Sequence, residues 1–133
     1  MRPAAALAAL LLLGACSQAD KPADGGGKFA GLDGEILTWR KEILKSDKLC
    51  QSQVQGQKCE GFEVVCKAER TVTPEDQASG VTARVVAALD WNGFDTKFKQ
   101  AQRGSAAVMF TRTKDAWTRA DHPPVNLSTC ADL

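Results

Sequence analysis

The chain has 133 residues, with 17 Lys and Arg against 16 Asp and Glu, a single His and a formal net charge of +1. This balance excludes the basic surplus by which nucleic-acid and polybasic-lipid binders hold their targets. One His and no Tyr also leave a thin repertoire for acid–base chemistry.

Met1 and Arg2 precede an almost purely apolar run from Ala4 to Leu13, the layout of a secretory signal. A membrane-spanning helix needs roughly 20 apolar residues, and this run reaches about half that, so a cleaved leader is predicted rather than a span. At its end, Leu13-Gly14-Ala15-Cys16 resembles the bacterial lipobox, in which small residues precede an invariant cysteine. The resemblance implies that the thiol of Cys16 takes a diacylglyceryl group, that residues 1–15 are removed, and that the freed amine is acylated. Two or three acyl chains, at about 0.8 kcal/mol per buried methylene, would make release from the bilayer negligible. Ser17 follows, where an aspartate favours inner-membrane retention in enterobacterial lipoproteins. A serine there resembles the outer-membrane, periplasm-facing class, with the inner membrane and the cell surface as open alternatives. Without the leader, 16 basic side chains face 16 acidic ones. Export also removes nucleic acid as a partner.

Residues 16–28, beginning with the lipidated cysteine, contain SQADKPADGGGK and no large apolar side chain, so they cannot offset the entropy of ordering. They read as a flexible tether with an end-to-end distance on the order of 20 Å. Residues 29–133 have a length normal for one small domain.

In that domain Leu32, Ile36, Trp39 and Ile43 recur at helical spacing, with Leu37 and Leu44 widening the stripe, which predicts an amphipathic helix over 32–47. Glu35 and Glu42 beside it favour a core-facing stripe over a membrane-lying one. Phe62, Val64, Cys66, Ala68 and Val72 then alternate as a half-buried strand, and residues 73–80 carry its breakers. Val81 to Trp91 form a second strand. Asn92-Gly93 suits a tight hairpin turn, returning through Phe94, Thr96 and Phe98, although residues 94–102 also fit a short helix. Ala106, Val108 and Phe110 continue to a Lys114-Asp115 turn, Ala116 to Ala120 form a last strand, and His122-Pro123-Pro124 end the pairing. The expected fold is α+β, one amino-terminal helix on a curved antiparallel sheet of four or five strands with two disulfides. By analogy it resembles the architecture of cystatin-like and nuclear-transport-factor-like domains.

With Cys16 set aside, Cys50, Cys59, Cys66 and Cys130 form an even set in an oxidising compartment. The polar stretch QSQVQGQK favours closing Cys50 on Cys59, leaving Cys66 for Cys130. The rival pairing joins Cys50 to Cys66 and Cys59 to Cys130. No pair has the two-to-four-residue spacing of zinc ligands and no Cys-x-x-Cys occurs, so no metal or other cofactor is expected.

His122, flanked by Asp121 and two prolines, reads as a solvated loop residue rather than a general base. Asp90 and Asp95, bracketing the expected turn, read as solvated strand polars, and Asn126-Leu127-Ser128 matches a glycosylation sequon only formally. No catalytic residue is therefore assigned. Trp39 and Trp91 lie on core-facing positions, whereas Trp117, beside Arg112 and Arg119, is the candidate surface anchor. The reading that follows is a noncatalytic envelope module binding a protein, peptidoglycan or a small ligand. Its alternative is a small periplasmic inhibitor or stress-protective protein, with an enzyme a distant third. A fixed loop projecting beyond the sheet would favour the inhibitor; a roomy apolar pocket between helix and sheet would favour ligand binding.

Overall fold

The computed structural model describes residues 27–133. The leader, Cys16 and the tether through residue 26 lie outside the described residues.

Helix α1, Leu32–Ser46, buries Leu32, Ile36, Trp39 and Ile43. Leu37 and Leu44, expected to widen this stripe, are instead 48% and 39% exposed. Each follows a buried isoleucine by one residue, and a turn of about 100° per residue carries it off the packed face. The helix ends at Asp47, whose carboxylate accepts from the Leu49 N–H at 2.8 Å and opens a short 3-10 turn over Lys48–Cys50.

The sheet has four antiparallel strands in chain order: β1 Glu60–Arg70, β2 Val81–Asp95, β3 Gln100–Thr113 and β4 Ala116–His122. Between β1 and β2 lies a five-residue helix, α2, Pro74–Ala78. The Thr73 hydroxyl accepts from the Asp76 N–H while the Asp76 carboxylate accepts from the Thr73 N–H. The backbone and then the hydroxyl of Thr73, with smaller help from Arg84, hold the Asp76 carboxyl below its ordinary range.

Strand β2 is buried on both faces. Val85, Ala87, Leu89 and Trp91 pack under α1 with Val108 and Phe110. Val86 and Ala88 meet Cys66, Ala107, Val125 and Cys130 on the opposite face, which the carboxy-terminal segment covers. An inner strand covered on both sides carries a nearly continuous apolar run.

The expected simple alternation of β1 is broken. Val64 pairs with Leu89 but Cys66 pairs with Ala88, so Val65 is an extra residue in the ladder. Such a bulge flips every later side chain to the other face. Phe62 therefore packs under α1, whereas Cys66 and Ala68 join the opposite cluster. This settles the cysteine geometry: Cys50 and Cys59 lie on the α1 side and are bridged, and Cys66 reaches Cys130 across the other face. The rival pairing would have to pass through the sheet.

The expected turn at Asn92-Gly93 does not form there. Both residues remain within β2, paired with Arg103 and Gln102, and the turn falls at residues 96–99. Residues 94–102 are thus neither a strand returning from Phe94 nor a helix. Their turn is built by Asp95, whose Oδ1 accepts from the N–H groups of Lys97 and Phe98 at 2.9 and 3.0 Å, and by Lys99 in the left-handed region at φ 54°. Gly93 serves close approach instead, since a Cβ there would stand 2.6 Å from the Leu49 Cβ. Gly104 has the same role beneath Trp91, where a Cβ would come within 2.4 Å of the indole. Gly104→Ala is accordingly expected to cost about 1–3 kcal/mol, read from urea unfolding, as the buried ring is forced aside.

Candidate functional site

Strands β3 and β4 hold the three residues singled out as a surface anchor. Arg112 pairs across the ladder with Trp117, and Arg119 with Phe110. All three are turned toward the chain itself. Arg112 donates to the Gly27 carbonyl at 2.7 Å and stands 3.5 Å from the Asp115 carboxylate. The half-buried Trp117 donates its indole N–H to the Ala30 carbonyl at 2.7 Å and meets Phe110 edge-on with ring centroids 6.5 Å apart. Arg119 bonds the carboxylate of Glu42 on α1. The cluster clamps the approach to α1 onto the sheet, through partners remote in sequence that local pattern could not supply.

A cavity of about 360 Å³ lies at the far end of β3 and β4 beneath the carboxy-terminal hook. Ala106, Ala107, Val125 and Leu127 supply its apolar lining, and Asp121 and His122 polar groups. The hook is held at several points. Cys130 is bridged to Cys66, Arg70 donates to the Cys130 carbonyl at 2.7 Å, and Val125 bridges to Asp132. The Asn126 carboxamide accepts from the N–H groups of Ser128 and Thr129 at 2.9 and 3.2 Å, so the sequon asparagine has a structural use.

His122 is not the solvated loop side chain expected. Its side chain is 15% exposed, with Nε2 3.5 Å from the Asp132 carboxylate, while Nδ1 lies 2.8 Å from the Pro123 carbonyl. Both ring nitrogens thus lie beside oxygen atoms of the hook. The chemistry offered by the cavity is amphipathic: a small apolar lining with a carboxylate and an imidazole. Its volume falls at the lower end of small-ligand sites, about 300–1,000 Å³.

Asp90 also departs from expectation. It is only 4% exposed, on the hook side of β2, with Oδ2 accepting from the Arg103 Nε at 3.0 Å and also from its Nη2. Its Oδ1 has no hydrogen-bond partner. Asp95 is committed to the turn described above, so the two carboxylates do not form a pair of free acids.

A further surface feature is the β2–β3 turn itself, whose Phe98 is 65% exposed at the tip. Lys97 lies over that ring at 5.3 Å from its centroid. Between α1 and β1 there is a second, shallower cavity of about 230 Å³, lined by Ile36, Leu37, Phe62 and Val64. Sequence reasoning missed the hook cavity because it depends on a bulge and a remote disulfide. It missed the tip because the turn was expected four residues earlier.

The chain matches no protein-family model, no curated protein and no solved structure.

Proposed function

We propose that this chain is a bacterial envelope lipoprotein, held at the outer membrane through acylated Cys16, whose domain is a noncatalytic binding module. The observation that carries this is covalent. The two bridges use four of the five cysteines, leaving over only the one that ends the lipobox-like Leu13-Gly14-Ala15-Cys16. Supporting the binding role, the hook cavity offers a small ligand an apolar lining and two polar groups, and an envelope protein or peptidoglycan remains a partner class for the exposed surfaces. The fold is grouped with cystatin-like and nuclear-transport-factor-like domains on architecture alone, and no activity is carried over from them. The test is fractionation of cells making the natural chain or Cys16→Ser. The natural chain should enter the membrane fraction and the detergent phase, and the variant the soluble periplasm. Equal partition of the two would overturn the anchor.

The inhibitor reading is favoured by a separate observation, the fixed turn that projects Phe98 beyond the sheet. Phe98→Ala is expected to change unfolding free energy by less than about 0.5 kcal/mol, since the ring is mostly in solvent. Loss of inhibition of an envelope hydrolase in this folded variant would support that reading over simple ligand binding.

A further inference from the structure

The outer side of α1 is rich in cations and carries two partly exposed leucines. Leu37, Arg40, Lys41, Leu44 and Lys45 follow one another at spacings of three, one, three and one, and Lys48 extends the row into the next turn. At helical pitch Leu37, Lys41, Leu44 and Lys45 lie away from the buried Ile36, Trp39 and Ile43, with Arg40 on the flank toward Phe62 and Lys48 in the 3-10 turn past the helix end. All six are exposed. Among the described residues none of the four cations has a carboxylate partner; Arg40 instead lies over the Phe62 ring at 5.1 Å. Of the helix acids, Glu42 bonds Arg119 on the β4 side, and Asp33, one turn before Leu37 on the same side, pairs with Lys67 at 3.5 Å.

We infer that this stripe is a second membrane contact, laying α1 along an anionic bilayer. The inference rests on the lipid-anchor reading for its location. Two observations select a bilayer as the occupant. The first is chemical: leucines flanked by long cationic side chains can bury their apolar parts at the headgroup boundary while the charges meet lipid phosphates. The second is where the chain enters. Residues 17–26 join the described domain at Gly27, five residues before α1 begins, so only a short length of chain separates the proposed anchor from the helix. Tethering also supplies an effective concentration in the millimolar range, so a weak face suffices.

The orientation has a consequence for the site. With α1 toward the lipid, the sheet lies above it and the hook cavity, on the sheet's other face, opens toward the periplasm. A soluble ligand would reach it without crossing the headgroups.

The test uses the mature chain with both disulfides formed and Cys16→Ser, so that no acyl chain contributes. Its partition is measured by flotation on vesicles of phosphatidylethanolamine with phosphatidylglycerol, and on phosphatidylcholine alone. Binding should be confined to the anionic vesicles and fall as salt is raised. Lys41→Gln with Lys45→Gln should weaken it on the order of thirtyfold at low salt, since each cation near the surface contributes about fivefold. Leu37→Ala with Leu44→Ala should weaken it about tenfold. Because all four positions are exposed, the variants should keep the natural circular dichroism and unfolding midpoint. Absence of binding, equal binding to both vesicles, or a charge variant that binds like the parent would overturn the proposal. So would binding to an acidic polypeptide such as polyaspartate with none to vesicles, which would assign the stripe to a protein. Vesicle binding by a chain whose natural form proves unacylated would leave this contact standing and remove the anchor. An acylated chain without vesicle binding would do the reverse.

Discussion

Replacing Cys66 and Cys130 together by Ala lowers the free energy of unfolding by about 4 kcal/mol, the largest loss expected of any covalent change in the domain. The bridge closes a sequence separation of 64, whereas Cys50–Cys59 closes only 9. In the chain-entropy treatment the longer loop restrains the unfolded chain more, and the shorter bridge is worth about 2.7 kcal/mol. Native packing adds to the difference. Cys130 is fully buried and, with Val125, supplies the hook's apolar contacts to Val86 and Ala88. Urea unfolding of the two double variants measures this ordering. A Cys50→Ala/Cys59→Ala variant less stable than the Cys66→Ala/Cys130→Ala one would show that the hook contributes little. Proteolysis adds a spatial check: loss of the long bridge should expose the chain after His122 to cleavage while α1 and its strands remain protected.

Phe110→Ala costs about 3–5 kcal/mol, the range for deleting a large aromatic side chain from a packed core. Phe110 has no exposure and stands on β3 between two tryptophans, edge-on to Trp39 at 6.2 Å and to Trp117 at 6.5 Å between ring centroids. The substitution therefore opens a void where α1, β3 and the amino-terminal clamp converge. The expected result is a lower unfolding midpoint with most of the near-ultraviolet dichroism of the tryptophans lost. An unchanged near-ultraviolet spectrum would mean that the helix is not seated on this ring.

The buried row of α1 was legible because Leu32, Ile36, Trp39 and Ile43 all meet one surface, and period alone reports that. Hydrophobicity alone places Leu37 and Leu44 in the same row, because it does not state which side of a helix a neighbour occupies. The strand sequence of β1 showed alternation, yet nothing in it revealed that Val65 would be left over and reverse the faces. The favoured disulfide pairs followed from the polarity of the short loop; the reason that excludes the rival, a sheet lying between Cys66 and Cys50, appears only with the bulge. Asn92-Gly93 misled for a related reason. Both residues have turn chemistry, but Trp91 requires the bare backbone of Gly104 opposite it, and Leu49 requires that of Gly93, so the strand continues until Asp95 can close the turn. His122 and Asp90 were expected in solvent because their partners, Asp132 and Arg103, are set by the hook and the true register.

The proposed division of labour among five sulfurs is tested most directly by intact-mass analysis of the detergent-extracted natural protein, without reduction, which addresses all of them together. The expected species begins at Cys16, carries the added mass of a diacylglyceryl group and an amide-linked acyl chain, and takes up no alkylating reagent until it is reduced. A product that starts at another residue, lacks lipid mass, or reacts with the reagent before reduction would contradict it.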